Sequence, residues 1–279
     1  MDLRKTFYSL PASWRYLARR LYFLPGDWLD LASGKRSPME PPRGLVYTGN
    51  GDFVKEGADL LDHLVKIAGL QPQHRVLDIG SGIGRGAAPL TTYLDEQGSY
   101  EGFDVVELGV RWCQAQISRR FPRFQFQYIP LANDLYREDG ADAANFRFPY
   151  EDGQFDVAFA NSVFTHMLPE EVGNYLREIH RVLKPGGKCL ATFFILNDAS
   201  KGMMQDLKGF YFPYDHGHYR LFDEKVKSAN VAFEEDYLRG ALVKNSGLKL
   251  LEFYPGFWPG LEKASCKSFQ DIVLLGRSE

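Results

Sequence analysis

Residues 75–85 read Arg75-Val76-Leu77-Asp78-Ile79-Gly80-Ser81-Gly82-Ile83-Gly84-Arg85. The segment Arg75-Val76-Leu77-Asp78-Ile79 has the length and apolar character of a strand, and three glycines follow it without a spacer. Glycines placed there let the backbone turn tightly and approach a ligand. A dinucleotide site asks for the spacing G-x-G-x-x-G. Counted from Gly80 the sixth position is Arg85, and counted from Gly82 it is Ala87, so neither register satisfies it. Asp78 narrows the ligand further. A pyrophosphate on this loop would meet its negative charge, whereas an ammonium or sulfonium group would be attracted.

Outward from the loop the pattern alternates. Strands are expected at 75–79, 99–105, 124–129, 155–160 and 188–196, with helices near 85–96, 107–120 and 169–183 between them. Pro169, Glu170 and Glu171 suit a helix start. Lys184-Pro185-Gly186-Gly187 is a stop. Such alternation builds a mostly parallel sheet with helices on both faces. The end of the chain differs. A helix near 233–245 stops at Gly247, and strands at 248–254 and 269–275 follow with no helix between them, which predicts an antiparallel hairpin at a sheet edge. Residues 130–150 and 201–229 show no regular period.

Upstream, a helix is expected near 52–70. Before it, residues 12–24 place Trp14, Leu17, Leu21 and Leu24 at helical spacing, with Arg15, Arg19 and Arg20 between them, and Pro25-Gly26 follows. Residues 33–44, with Pro38, Pro41 and Pro42, read as a linker. The expected organisation is an N-terminal helical extension over 1–50 and one α/β domain over 51–279, with a cap insertion near 197–232.

At 279 residues the chain is long for one minimal domain and short for two. Apolar residues at 44% and charged residues at 25% exclude a disordered or collagen-like chain. Thirty-three basic against 36 acidic residues give a net charge of -3, whereas a dedicated nucleic-acid binder is usually basic. Cys113, Cys189 and Cys266 form no CxxC pair, which argues against a zinc ribbon or a dithiol redox site. No metal site is expected. No run approaches the ~20 apolar residues of a membrane span, and no signal-peptide pattern follows Asp2, Arg4 and Lys5. A cytoplasmic protein is the expectation.

Four stretches together carry a resemblance: VLDIGSGIGR at 76–85, Phe103-Asp104, FPYEDGQFDVAFANSVFTHML at 148–168, and REIHRVLKPGGKCLAT at 177–192. The sequence resembles the class I, Rossmann-like S-adenosylmethionine-dependent methyltransferases, most closely those acting on small molecules. The likeness covers residues 52–196 and, in topology, the closing hairpin. It implies a seven-stranded sheet whose last strand is antiparallel. S-adenosylmethionine, leaving as S-adenosylhomocysteine, carries both cationic groups that Asp78 favours. By the resemblance, Asp78, Gly80, Gly82 and Gly84 hold its methionine end, Asp104 its ribose, Asn133 and Asp134 its adenine side, and Asn161 the methionine portion.

Methyl transfer from a sulfonium is an in-line displacement with a neutral leaving group, so alignment and water exclusion do most of the work. A base is needed only where the acceptor proton is weakly acidic. His166, just past the fourth strand, is the candidate base; the alternative is a histidine that only fixes its loop. Tyr47, Tyr214, His216 and His218 are the candidate acceptor contacts, the last three within the aromatic segment 201–229. The tetrad [D/N]PP[Y/F] of nucleic-acid and glutamine methylators is replaced by Asn161-Ser162-Val163-Phe164. The expected acceptor is therefore a hydroxyl of a sugar, glycolipid or similar metabolite. The other readings are carbon or nitrogen methylation of a lipid or quinone, a cofactor-binding sensor or scaffold, and a dehydrogenase, which Asp78 and the glycine spacing disfavour. For residues 1–50 a lid over the cleft, with Tyr47 approaching the site, is preferred to contact with a membrane surface.

Overall fold

The computed structural model describes residues 12–34, 36–47, 51–134, 139–205 and 210–279. Its centre is a seven-stranded sheet. The strands are β1 (Arg75–Ile79), β2 (Ser99–Asp104), β3 (Phe124–Tyr128), β4 (Phe155–Ala160), β5 (Leu183–Phe193), β10 (Leu248–Tyr254) and β11 (Asp271–Arg277), in the order β10-β11-β5-β4-β1-β2-β3. Strands β1 to β5 pair in parallel, while β11 runs antiparallel to both β5 and β10. This is the Rossmann-like α/β architecture with a closing antiparallel hairpin.

The sheet is flanked by α2 (Phe53–Lys66), which precedes β1, and by the crossover helices α3 (Ala87–Tyr93), α4 (Glu107–Cys113) and α5 (Pro169–Val182). They cover both faces, so the strands are nearly all apolar. Val76, Tyr100, Phe124 and Phe159 pack on one face with Leu60 and Leu64 of α2. Leu77, Ile79 and Phe103 pack on the other with Leu176 and Ile179 of α5. Chain order reverses between β1 and β4. In an open sheet of this kind the crevice for a ligand lies outside the carboxyl ends of the strands at such a switch point.

Part of the segment 201–229, expected to lack a regular period, joins a second, four-stranded sheet, whose last strand also takes the start of the helix expected near 233–245. Its strands are β6 (Ile195–Leu196), β7 (Tyr214–Asp215), β8 (Tyr219–Leu221) and β9 (Val231–Glu234), in the order β6-β9-β8-β7. The expected strand over 188–196 is divided accordingly. It leaves the main sheet after Phe193, where the Ile195 N–H donates to Asp271 Oδ2 at 2.7 Å. A short helix, α6 (Asp198–Gln205), follows. Phe194, Phe212 and Trp258 are buried together in a small core with Leu196 and Ala232 of this sheet.

The N-terminal helix α1 spans Ala12–Ala32, with Pro25 inside it. The sequence reading ended it before that proline. After α1, residues 36–47 form a strap: Asp27 accepts the Arg43 and Gly44 N–H groups at 2.7 and 3.0 Å, and Met39 reaches the Thr91 hydroxyl of α3. Residues 48–50, between the strap and α2, lie outside the described residues. Among those described, no helix is long and apolar enough to cross a membrane.

Candidate functional site

The glycine loop leaves β1 with Gly80, Gly82 and Gly84 all at positive φ (78°, 57° and 81°). Side chains there would also collide: a Cβ on Gly80 would meet Val163, and one on Gly84 would meet Ile117 and the Cys113 sulfur. Bare backbone is therefore required on steric grounds as well as by conformation. The loop is anchored by the Gly80 and Ser81 N–H groups, which donate to the Phe103 carbonyl at 3.0 and 2.9 Å.

Asp104, at the end of β2, accepts the Gly82 N–H on Oδ2 and the Val106 N–H on Oδ1, each at 2.7 Å. It therefore fixes the loop's shape, and each carboxylate oxygen keeps a further lone pair for a ligand hydroxyl. Burial pushes its pKa up to about 6.

Asp78 is buried and accepts the Tyr100 hydroxyl at 2.5 Å. Burial, opposed by that hydrogen bond, pushes its pKa up to about 8, with the Asp104 charge adding to the rise. The carboxyl is thus poised to ionise when a cation arrives, which alters the sequence-based picture of a standing negative charge. Tyr100 reaches it because Gly102, paired with Asp78 across the strands, has no side chain: a Cβ there would clash with the Tyr100 hydroxyl.

Tyr47 closes one side of the loop. Its hydroxyl and the Gly82 carbonyl both pack on the Cα of Gly109 in α4, where a Cβ would collide with each. The strap thus carries Tyr47 to the glycine loop. Arg85, directly after the loop, is ion-paired with Glu56 of α2.

His166 ends a 3₁₀ turn, Phe164–His166, just past β4. Its Nδ1 lies 2.8 Å from the Ser228 carbonyl oxygen. A carbonyl only accepts, so Nδ1 carries the proton and Nε2 is the basic nitrogen. Burial lowers the His166 pKa, against the opposing pull of hydrogen bonds to Ser228 and Ala229, so the ring is neutral near pH 7. The same loop touches the glycine loop through Val163 and Gly80. Ser162, at φ 57°, donates its N–H to Thr192 Oγ1 at 2.7 Å, and Asn161 beside it is exposed.

Asn133 and Asp134 gather around His166. The Asn133 amide donates to the His166 carbonyl at 3.4 Å, while Asp134 accepts the Lys227 and Ser228 N–H groups at 2.7 and 3.0 Å. Asp134 thus latches the loop after β3 to the segment that orients His166, a role the sequence reading did not give it. Tyr214, His216 and His218 stand on the exposed β7–β8 hairpin. His216 stacks on Tyr219 at 5.0 Å and His218 on Tyr237 at 4.6 Å. The described contacts bring none of these three to the glycine loop or to His166.

Tyr100, Val163, Gly109 and Ser228 were missed by the sequence reading. Only Tyr100 left a trace there, through the glycine two residues on in β2. The positive-φ loop, its two buried carboxylates and the buried Ser81 hydroxyl, which has no hydrogen-bond partner among the described residues, fit a cationic nucleoside cofactor.

A methyltransferase-domain family model matches residues 77–191, from the glycine loop through β5. Phosphoethanolamine N-methyltransferase 3 of Arabidopsis thaliana is 30% identical over 53% of this chain and 25% of that protein. The 27-O-demethylrifamycin SV methyltransferase of Amycolatopsis mediterranei is 31% identical over 53% of this chain and 48% of that protein. The chain therefore matches less than half the length of these curated relatives. In fold it resembles the Burkholderia thailandensis 1,6-didemethyltoxoflavin-N1-methyltransferase, a structure with S-adenosylhomocysteine bound. The TM-score is 0.51 at 19% identity, covering 97% of this chain and 92% of that one. The matched domain spans the very loops that build the crevice, so residues 77–191 resemble a methyltransferase domain, and the chain shares the Rossmann-like fold of that S-adenosylhomocysteine-bound structure.

Proposed function

We propose that this protein transfers the methyl group of S-adenosylmethionine to a hydroxyl of a small molecule (a sugar, glycolipid or similar metabolite) with His166 as the base. The carrying observation is the orientation of His166: Ser228 holds Nδ1, leaving Nε2 basic in a loop that touches the glycine loop. The cofactor supplies an electrophilic methyl group on a positively charged sulfur. The glycine loop, Asp78 and Asp104 bind and orient it, Tyr47 on its strap shields the loop from water, and His166 Nε2 takes the hydroxyl proton. The small sheet packs against the His166 turn through β9. Its β7–β8 hairpin, with Tyr214, His216 and His218, then forms the outer rim of the acceptor site. Three free cysteines suit a cytoplasmic setting.

A nitrogen acceptor is the second reading, supported by the names of the Arabidopsis and Burkholderia proteins. His166→Ala separates them. With a hydroxyl acceptor kcat falls by about 10²–10⁴ while cofactor affinity stays near wild type. The wild-type rate rises with pH through a midpoint below the ordinary histidine value, because only the neutral ring accepts a proton and burial lowers its pKa. Near-normal turnover of the variant with a flat wild-type profile removes His166 as the base. Binding of S-adenosylhomocysteine without transfer to any acceptor would leave a sensor or scaffold.

A further inference from the structure

Helix α1 turns its apolar face outward. Leu17, Leu21, Leu24, Trp28 and Leu31 recur at helical spacing, and all five are exposed, Trp28 and Leu31 by 67% each. Tyr22 and Leu29, also exposed, widen the stripe on one flank. At about 100° per residue, positions 17–32 hold an arc of roughly 180° with no charged residue. The opposite face meets the strap. There Asp27 takes the Arg43 and Gly44 N–H groups, and Asp30 pairs with Arg43 at 2.8 Å. The helix's acids are thus engaged inward, while the exposed Arg20 flanks the apolar arc on the rim beside Leu31.

We infer that α1 is an in-plane docking helix for an anionic lipid surface. An arginine beside an apolar face bearing Trp and Tyr matches the interface between headgroups and acyl chains. A second helix is the poorer occupant. A coiled-coil seam is a narrow stripe, this arc is twice as wide or more, and Pro25 lies within it. The strap fastens the helix to the domain through Met39 at Thr91 and Tyr47 at Gly109, so a docked helix brings the domain with it. This inference stands apart from the methyl-transfer reading and needs no acceptor.

Flotation of the full-length protein with vesicles tests it, using phosphatidylcholine alone and phosphatidylcholine with about a third phosphatidylglycerol. Binding to the anionic vesicles is expected to exceed binding to the neutral ones by about tenfold or more and to weaken in salt. Leu24→Glu with Trp28→Glu abolishes it, and Arg20→Gln weakens it several-fold, all with an unchanged melting transition, since these side chains are exposed. Equal recovery with both vesicle types, or none with either, overturns the inference. So does a wild-type dimer in light scattering that the Glu pair dissociates while vesicles capture neither protein, which would assign the face to a second copy of the chain.

Discussion

Helices α1 and α5 carry apolar stripes of the same period and meet opposite fates. In α5, Val172, Leu176, Ile179 and Val182 are fully buried against the main sheet. In α1, Leu17, Leu21, Leu24, Trp28 and Leu31 face solvent. Periodicity states that a face needs cover, and only the rest of the chain decides whether the cover is internal. α5 lies between two strands of one sheet, so its crossover lays it on that sheet. α1 precedes the sheet, and the strap contacts its polar side.

The largest expected effect comes from breaking the buried member of the pair. Ile179→Ala should destabilise the fold by about 2–5 kcal/mol, because it removes methylenes from a packed core and leaves a cavity. Leu24→Ala in α1 should stay within about 0.5 kcal/mol. Chemical denaturation of both variants reads the contrast directly. A loss at Leu24 as large as that at Ile179 would mean that α1 packs on the protein in solution, and the comparison would collapse.

Asp104 sits between these extremes, being both a structural tie and a ligand group. Asp104→Ala should weaken S-adenosylhomocysteine binding by about 1–3 kcal/mol, from the lost hydrogen bonds to a charged acceptor. It should also lower stability, since the Gly82 and Val106 N–H groups lose their partner. Titration calorimetry and thermal melts on the same sample separate the two. Unchanged affinity with lowered stability would reduce Asp104 to a loop tie.

The main sheet was legible because its strands are bounded by glycine turns and alternate with helices. The phrase around FPYEDGQFD and the helix before β5 proved to be one structural unit: Arg181 donates to the carbonyls of Tyr150 and Phe148 and pairs with Asp152 at 2.8 Å. The small sheet was not legible, since its strands run from two to four residues and its pairing is set by distant partners. The same holds within the site. Glycines announce a loop locally, but nothing near His166 announces Ser228, 62 residues away. Pro25 also misled, because the helix runs through it with its missing N–H bond left on an exposed turn.

The smallest effect expected is the pH dependence of cofactor affinity, and its origin is Asp78. Without a ligand its pKa stands at about 8, so at pH 7 most molecules hold it neutral beneath the Tyr100 hydroxyl. A cationic cofactor favours the carboxylate and lowers that pKa in the complex. Between the lowered value and about 8, binding therefore releases a proton, and affinity rises with pH by at most about tenfold per unit. Above that range Asp78 is already ionised and its contribution is level. S-adenosylmethionine affinity should accordingly improve several-fold between pH 6.5 and 8, with heats that vary with the buffer's ionisation enthalpy. Asp78→Asn keeps an acceptor for Tyr100 but has no proton to lose, so its profile should flatten. A wild-type affinity that is level over this range, or an Asn variant that keeps the slope, would place the cationic end of the cofactor away from Asp78 and leave that residue as a buried partner of Tyr100, no different in kind from the packed positions of α5.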